Sequence, residues 1–155
     1  MARVENVGYC GIGILNLKLK TSYEKLSRSA YCFDADFIFL VNKGFDSSLE
    51  AELRDAELNI PLFEYSTVED FLTHIPCNCK LVSVDFSNGV QGIEGFVHPE
   101  RACYVLGPDD GGVPKQVLEQ SYAVIKIPTK YCLHVETAGS IVLYDRRQKQ
   151  GLDKL

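Results

Sequence analysis

Apolar runs of strand character alternate with segments of helical spacing along almost the whole of this chain. No other feature restricts its fold as much. Tyr9 to Leu15 is β-like and rich in Gly and Ile, and Asp36 to Asn42 is a nearly continuous apolar run, as expected of a strand covered on both faces. Ile60 to Phe63, Lys80 to Phe86, Ala102 to Leu106 and Ala123 to Ile127 complete the strand candidates. Between them, Thr21 to Phe33 carries an apolar stripe of Leu26, Ala30 and Phe33, with Ser22 as a partial cap because Lys25 stands where a capping-box Glu belongs. Ser47 to Leu58, Thr67 to His74, Pro114 to Gln120 and Cys132 to Gln148 read as further helices. Such alternation predicts an α/β fold with a mainly parallel sheet flanked by helices. No repeat, low-complexity segment or linker interrupts the 155 residues, so a single domain over 1–155 is expected.

In sheets of this kind ligands bind beyond the carboxyl ends of the strands. Three polar, turn-rich loops lie at such ends: Ser87 to Gly95, Gly107 to Pro114, and Thr129 to Tyr131. The second belongs to the stretch YVLGPDDGGVPKQVL, where an apolar run stops at Gly107 and gives way to two prolines, two aspartates and two more glycines. Glycines there admit close approach of backbone to a ligand, and Pro114 suits the first position of the next helix. Composition alone favours tight turns with no ligand. Phosphate-loop and dinucleotide fingerprints are missing: Gly11-Ile12-Gly13 lacks a third glycine in register. Asp109 and Asp110 together offer carboxylates for a divalent ion, although adjacent acids on a turn are commonly just solvated.

Charge and cysteine content narrow the setting. The net charge of −5 argues against a wholly basic nucleic-acid-binding surface but leaves room for local patches, at Lys18 to Arg28 and at Lys126 to Lys149. Six cysteines sit mostly in apolar stretches, and Cys77-Asn78-Cys79 is not a standard zinc spacing, so reduced thiols and no metal are expected. No apolar run is long enough to span a membrane, and the opening residues show no secretory signal pattern, so a cytoplasmic location is expected.

The C-terminal half, FVHPERACYVLGPDDGGVP followed by AVIKIPTKYCLHVETAGSIVLYDR, resembles the SpoU (TrmH-like) branch of the SPOUT superfamily, the 2′-O-ribose methyltransferases of tRNA and rRNA. Leu106-Gly107, Asp109, Gly112-Val113-Pro114, Ile127-Pro128 and Cys132-Leu133-His134-Val135 take the places of that family's motifs, and Arg28-Ser29-Ala30 matches the end of its first motif. The resemblance implies a C-terminal trefoil knot whose loops bind S-adenosylmethionine. On this chain those loops bring Val84, Leu106, Gly107, Ile127, Pro128, Cys132 and Leu133 to the cofactor. It also implies a homodimer packed through the first and last helices. The last helix, with Ala138, Ile141, Val142, Leu143 and Tyr144, is apolar on more than one face, as a buried helix would be.

Arg28 matches the family's essential arginine. It lies two residues from Leu26, roughly 200° around the helix at about 100° per residue, and so should point away from the apolar stripe. An arginine stays protonated, which suits clamping phosphate and orienting a hydroxyl better than removing a proton. Asp109 and His134 complete the implied catalytic set, His134 as a group able to take a proton near neutral pH. Three departures from the motifs stand out. The first-motif Asn is absent, in a segment short by about two residues. Asp109 replaces a Glu. Cys132 and His134 replace a Ser and an Asn. The reading is therefore an RNA 2′-O-methyltransferase, with tRNA preferred to rRNA and no appended RNA-binding domain. The alternative is a degenerate SPOUT domain that binds RNA or S-adenosylmethionine without catalysis. A metal- or nucleotide-dependent enzyme built on Asp109 and Asp110 has no supporting motif.

Overall fold

A computed structural model describes residues 8–44 and 60–151. The helix expected over Ser47 to Leu58 lies outside the described residues. Within them the elements run β1 (Tyr9–Leu15), α1 (Lys20–Cys32), β2 (Phe37–Val41), β3 (Leu62–Tyr65), α2 (Val68–Thr73), β4 (Lys80–Val84), β5 (Gln91–Gly92), a 3₁₀ turn (Ile93–Gly95), β6 (Arg101–Leu106), α3 (Lys115–Gln120), β7 (Ala123–Lys126) and α4 (Val135–Gln150). The strands form one seven-stranded sheet in the order β3-β2-β1-β6-β4-β7-β5, and each described pairing is parallel.

The period of two along each strand divides the core between the two faces. Ile12, Ile14, Ile38, Leu40, Tyr104 and Leu106 face Leu26 of α1 and Val142 and Leu143 of α4. The residues between them, Phe39, Val41, Cys103 and Val105, face Phe71 of α2 and Val117 of α3. Gly11 and Gly13 account for the glycine content of β1. Both occupy the second face, where a Cβ on Gly11 would lie 2.1 Å from the Phe37 ring and one on Gly13 would lie 2.3 Å from the Phe39 ring. The two aromatic rings of β2 thus lie in the space those glycines leave.

Helices α1 and α4 pack on the first face. Leu26 presses against Gly139, where a Cβ would stand 2.6 Å from Leu26 Cδ1. The Ser29 and Ser140 hydroxyls bond at 2.7 Å, and the rings of Phe33 and Tyr144 meet edge to face. Toward the C-terminal half of α4 lies a buried polar chain. Arg146 donates to the carbonyls of Pro99 (2.7 Å) and Glu100 (2.8 Å) and to the Tyr104 hydroxyl (3.1 Å). Tyr104 meets His98 Nδ1 at 2.6 Å, and His98 Nε2 meets Asp145 Oδ2 at 2.7 Å. Lys149 closes the chain on Asp145 at 2.8 Å. Asp145 can only accept, so His98 carries its proton on Nε2, and Nδ1 is left to accept from Tyr104. A neutral imidazole therefore satisfies the chain.

Several boundaries differ from the sequence reading. Ser22 is not a cap: it lies inside α1 and is buried, and Leu19 holds the N-cap position with no side-chain bond. The loop after β4 contains β5 and the 3₁₀ turn, too short to leave a periodic pattern. Pro114 is the N-cap of α3 rather than its first helical residue, and β3 sits two residues further along than expected. Helix α4 starts at Val135, so Cys132 precedes it in an irregular segment. It is also more one-sided than its sequence suggested. Val135, Gly139, Val142, Leu143 and Arg146 are buried, while Tyr144 is 57% exposed.

The polar chain predicts a pH dependence. Burial holds His98 below its ordinary value of 6.5, against the opposing pull of Asp145. The unfolded chain then binds the proton more readily than the folded one, so stability rises with pH in this range. His98 contributes in full above about 6.5 and its contribution is lost as the pH falls through the depressed folded value. The melting temperature should fall more steeply between about pH 7 and pH 5 for the wild-type chain than for His98→Gln. Equal slopes would exclude His98 as the group responsible.

Candidate active site

Strands β6, β4 and β7 are neighbours and run in one direction, so the loops leaving their carboxyl ends meet at one edge of the sheet. They enclose a cavity of about 280 Å³. Val84 and Asp85 form its wall at the end of β4, Leu106 and Gly107 at the end of β6, and Ile127 beyond β7. Cys132, Leu133 and Val135 close it on the side where the chain leads into α4. The wall is largely apolar, with backbone polar groups supplied by the turns, which suits a nucleoside-bearing ligand.

The turn after β6 is the tightest part. A Cβ on Gly107 would stand 2.6 Å from the carbonyl carbon of Gly112 and 2.9 Å from Val113 N. Only glycine allows the two arms of the loop to lie so close. Three carboxylates tie this loop down. Asp85, buried at 5% exposure, accepts from Ser87 N (2.9 Å), Asn88 N (2.8 Å) and Asn88 Nδ2 (3.3 Å) on one oxygen, and from Val113 N (2.9 Å) on the other. Asp109 Oδ1 accepts from Val135 N at 2.8 Å. It thus serves the start of α4, because the N-cap residue His134 makes no side-chain cap bond. Asp110 pairs with Lys18, which follows β1, and the lysine's hydrogen bond holds the Asp110 carboxyl below the usual carboxylate range.

The structure brings Val84, Leu106, Gly107, Asp109, Ile127, Cys132 and Leu133 together around the cavity. Pro128, His134 and Arg28 are not among the residues lining it. The His134 side chain is 79% exposed, and its Nδ1 lies 3.9 Å from Asp109 Oδ2. Arg28 is exposed on α1, whose neighbour Lys25 lies 3.9 Å from Glu136 in the first turn of α4. Sequence reasoning passed over Asp85 by treating it as the tail of a strand. Its signal was a lone acid at the carboxyl end of an apolar run, two residues before Ser-Asn-Gly chemistry that favours an Asx turn. Among the described residues no group of three or more His, Cys, Asp or Glu is placed to hold a metal ion, and no helix is long and apolar enough to cross a membrane.

A parallel α/β sheet with a glycine-lined ligand cavity at its carboxyl edge is the class this architecture defines. Residues 24–144 match the model of the SpoU rRNA Methylase family, and the chain belongs to that family. Among solved structures it is similar to one described for the 2-OH methylation of C/U34 on tRNA, with 18% identity over 94% of this chain and 98% of that one and a TM-score of 0.80. It is also similar to the SpoU methyltransferase AviRb from Streptomyces viridochromogenes in complex with AdoMet, at 14% identity and a TM-score of 0.77. The AdoMet-bound rRNA methyltransferase from Sinorhizobium meliloti is alike at 19% identity and a TM-score of 0.78. The matches cover 93% and 91% of this chain but 61% and 56% of those two proteins. At these identities the likeness is one of fold. No curated protein matches the chain.

The loop geometry gives a direct test. Gly107→Ala must push Gly112 aside and should cost about 1–3 kcal/mol of stability. Gly111→Ala places its Cβ 3.6 Å from Pro108, an ordinary contact, and should change stability by less than about 0.5 kcal/mol. Chemical denaturation of the two variants checks the contrast. Equal stabilities would show that the loop arms are not in contact.

Proposed function

We propose that the protein is an S-adenosylmethionine-dependent RNA methyltransferase that methylates a ribose 2′-hydroxyl, with tRNA as substrate, in the cytoplasm. The observation that carries this reading is the apolar, glycine-lined cavity at the joined ends of β4, β6 and β7, in a chain of the SpoU family. Two similar folds are described with AdoMet bound, and one is described for 2-OH methylation on tRNA. The cavity suits the donor on its own terms. Val84, Leu106, Ile127 and Leu133 offer apolar surface for an adenine, and at Gly107 a side chain would collide with the backbone that frames the pocket. When bound, the donor supplies an activated methyl group on a positively charged sulfur. Pro128, beside Ile127, would complete its binding loop.

The chain's own residues have the remaining work of orienting the ribose hydroxyl and taking up its proton. Arg28 is assigned to clamp an RNA phosphate and orient the hydroxyl, because a guanidinium keeps its proton. Its exposed place on α1 suits a homodimer packed through α1 and α4, in which it serves the partner's cavity. Exposed Tyr31 and Tyr144 on these helices are apolar surface for that contact. His134 is assigned as proton acceptor, and Asp109, fixed by Val135 N, faces it. The described residues share one sheet and act as one domain. A trefoil knot formed by the loops after β4, β6 and β7 belongs to this reading, through the resemblance of the chain's motifs to the SpoU family.

The test is transfer of labelled methyl groups from S-adenosylmethionine to tRNA, with 2′-O-methylation mapped by resistance to alkaline cleavage. Arg28→Ala should lower kcat/KM about 100-fold or more and leave donor affinity unchanged. Labelling of rRNA alone would move the substrate. Donor binding with no transfer to any RNA would favour a catalytically silent binding domain, a reading to which the replacement of the motif Asn by His134 lends weight.

A further inference from the structure

We propose that Asp85 is the positioning residue of the methyl-donor pocket, the group that holds its two principal loops in binding register. This inference rests on the function proposed above. Asp85 sits where β4 ends, lines the cavity and is 5% exposed. Its Oδ1 gathers Ser87 N, Asn88 N and Asn88 Nδ2 from the loop after β4, while its Oδ2 takes Val113 N from the loop after β6. Its backbone carbonyl accepts Gly89 N at 3.0 Å and closes the same turn. One carboxylate therefore spans both loops, and its Oδ2 also lies 2.8 Å from where a Gly112 Cβ would be.

The chemistry calls for a carboxylate in particular. Four N–H groups converge on the two oxygens, and an ionised carboxyl is the side chain whose two ends both only accept. Three of the four donors are backbone amides, which offset the buried charge through charge-assisted bonds. An asparagine of the same shape has one accepting end and one donating end. Whichever way it turns, an NH₂ meets either Val113 N–H or the Ser87 and Asn88 amides, and one loop is released from the other. The released loop carries Gly107 and Asp109, so the donor would have to order it on binding. Affinity falls by the cost of that ordering, while transfer from the fully bound state is preserved.

The experiment measures S-adenosylmethionine binding by calorimetry, steady-state methyl transfer and melting temperature for the wild-type chain and Asp85→Asn. We expect the dissociation constant and donor KM to rise about tenfold or more, with kcat at saturating donor within about twofold. A merely structural role would lower the melting temperature and leave the affinity of the folded protein unchanged, and that result overturns the proposal. Hydrogen exchange of the unliganded wild-type chain gives a second measurement independent of the variant's folding. Slow amides at Ser87, Asn88 and Val113 are expected, and free exchange at Val113 would overturn the proposal. A wild-type chain that binds no donor would instead overturn the proposed function, and this role with it.

Discussion

Strand β6 is the constraint on which the other features rest. It is bonded to β1 on one side and to β4 on the other, both parallel to it. Its alternate residues supply both cores, Tyr104 and Leu106 to one and Cys103 and Val105 to the other. A strand so enclosed has no free edge, and its direction fixes that of its neighbours. The chain leaving β6 must therefore turn at the edge where β4 and β7 also end. The space there is narrow enough that the turn begins with a glycine, and the remaining room is the cavity.

Helix α4 is held differently at its two ends, and the difference divides stability from function. Its start is served by Asp109 from the loop after β6, so the helix and the cavity wall share a partner. Its C-terminal half is anchored by Arg146, His98, Asp145 and Lys149, on the carbonyls of Pro99 and Glu100 that lead into β6. Arg146 is buried and bonds the Pro99 and Glu100 carbonyls and the Tyr104 hydroxyl, so its loss removes several buried hydrogen bonds at once and is costly. The Lys18–Asp110 pair is exposed on both sides and contributes little to stability.

The sheet was legible in the sequence because its strands are short apolar runs bounded by turn residues, and because covered parallel strands need no polar alternation. The limits of β1, β6 and β7 followed to within one residue, whereas β4 ends two residues before the expected Phe86. What escaped was governed by contacts distant in the chain. Ser22 has the chemistry of a cap, yet it is buried inside α1, whose N-cap lies three residues earlier at Leu19. Cys132 to His134 continue an apolar pattern into α4, but Asp109 sets the helix start at Val135 from across the cavity. Gln91 and Gly92 form a strand only because β7 offers its edge. The loops around Gly107 were visible from their composition and motifs, whereas Asp85 was hidden, since its partners lie on two loops and only the fold joins them.

The central claim is that the loops after β4, β6 and β7 form the methyl-donor pocket. Titrating isotopically labelled protein with S-adenosylmethionine while following its backbone amide resonances tests this most directly. The account predicts shifts concentrated at residues 84–89, 106–114 and 127–135, with the far end of the sheet around His98 and Arg146 unmoved. Shifts centred elsewhere, or none at saturating donor, would contradict it.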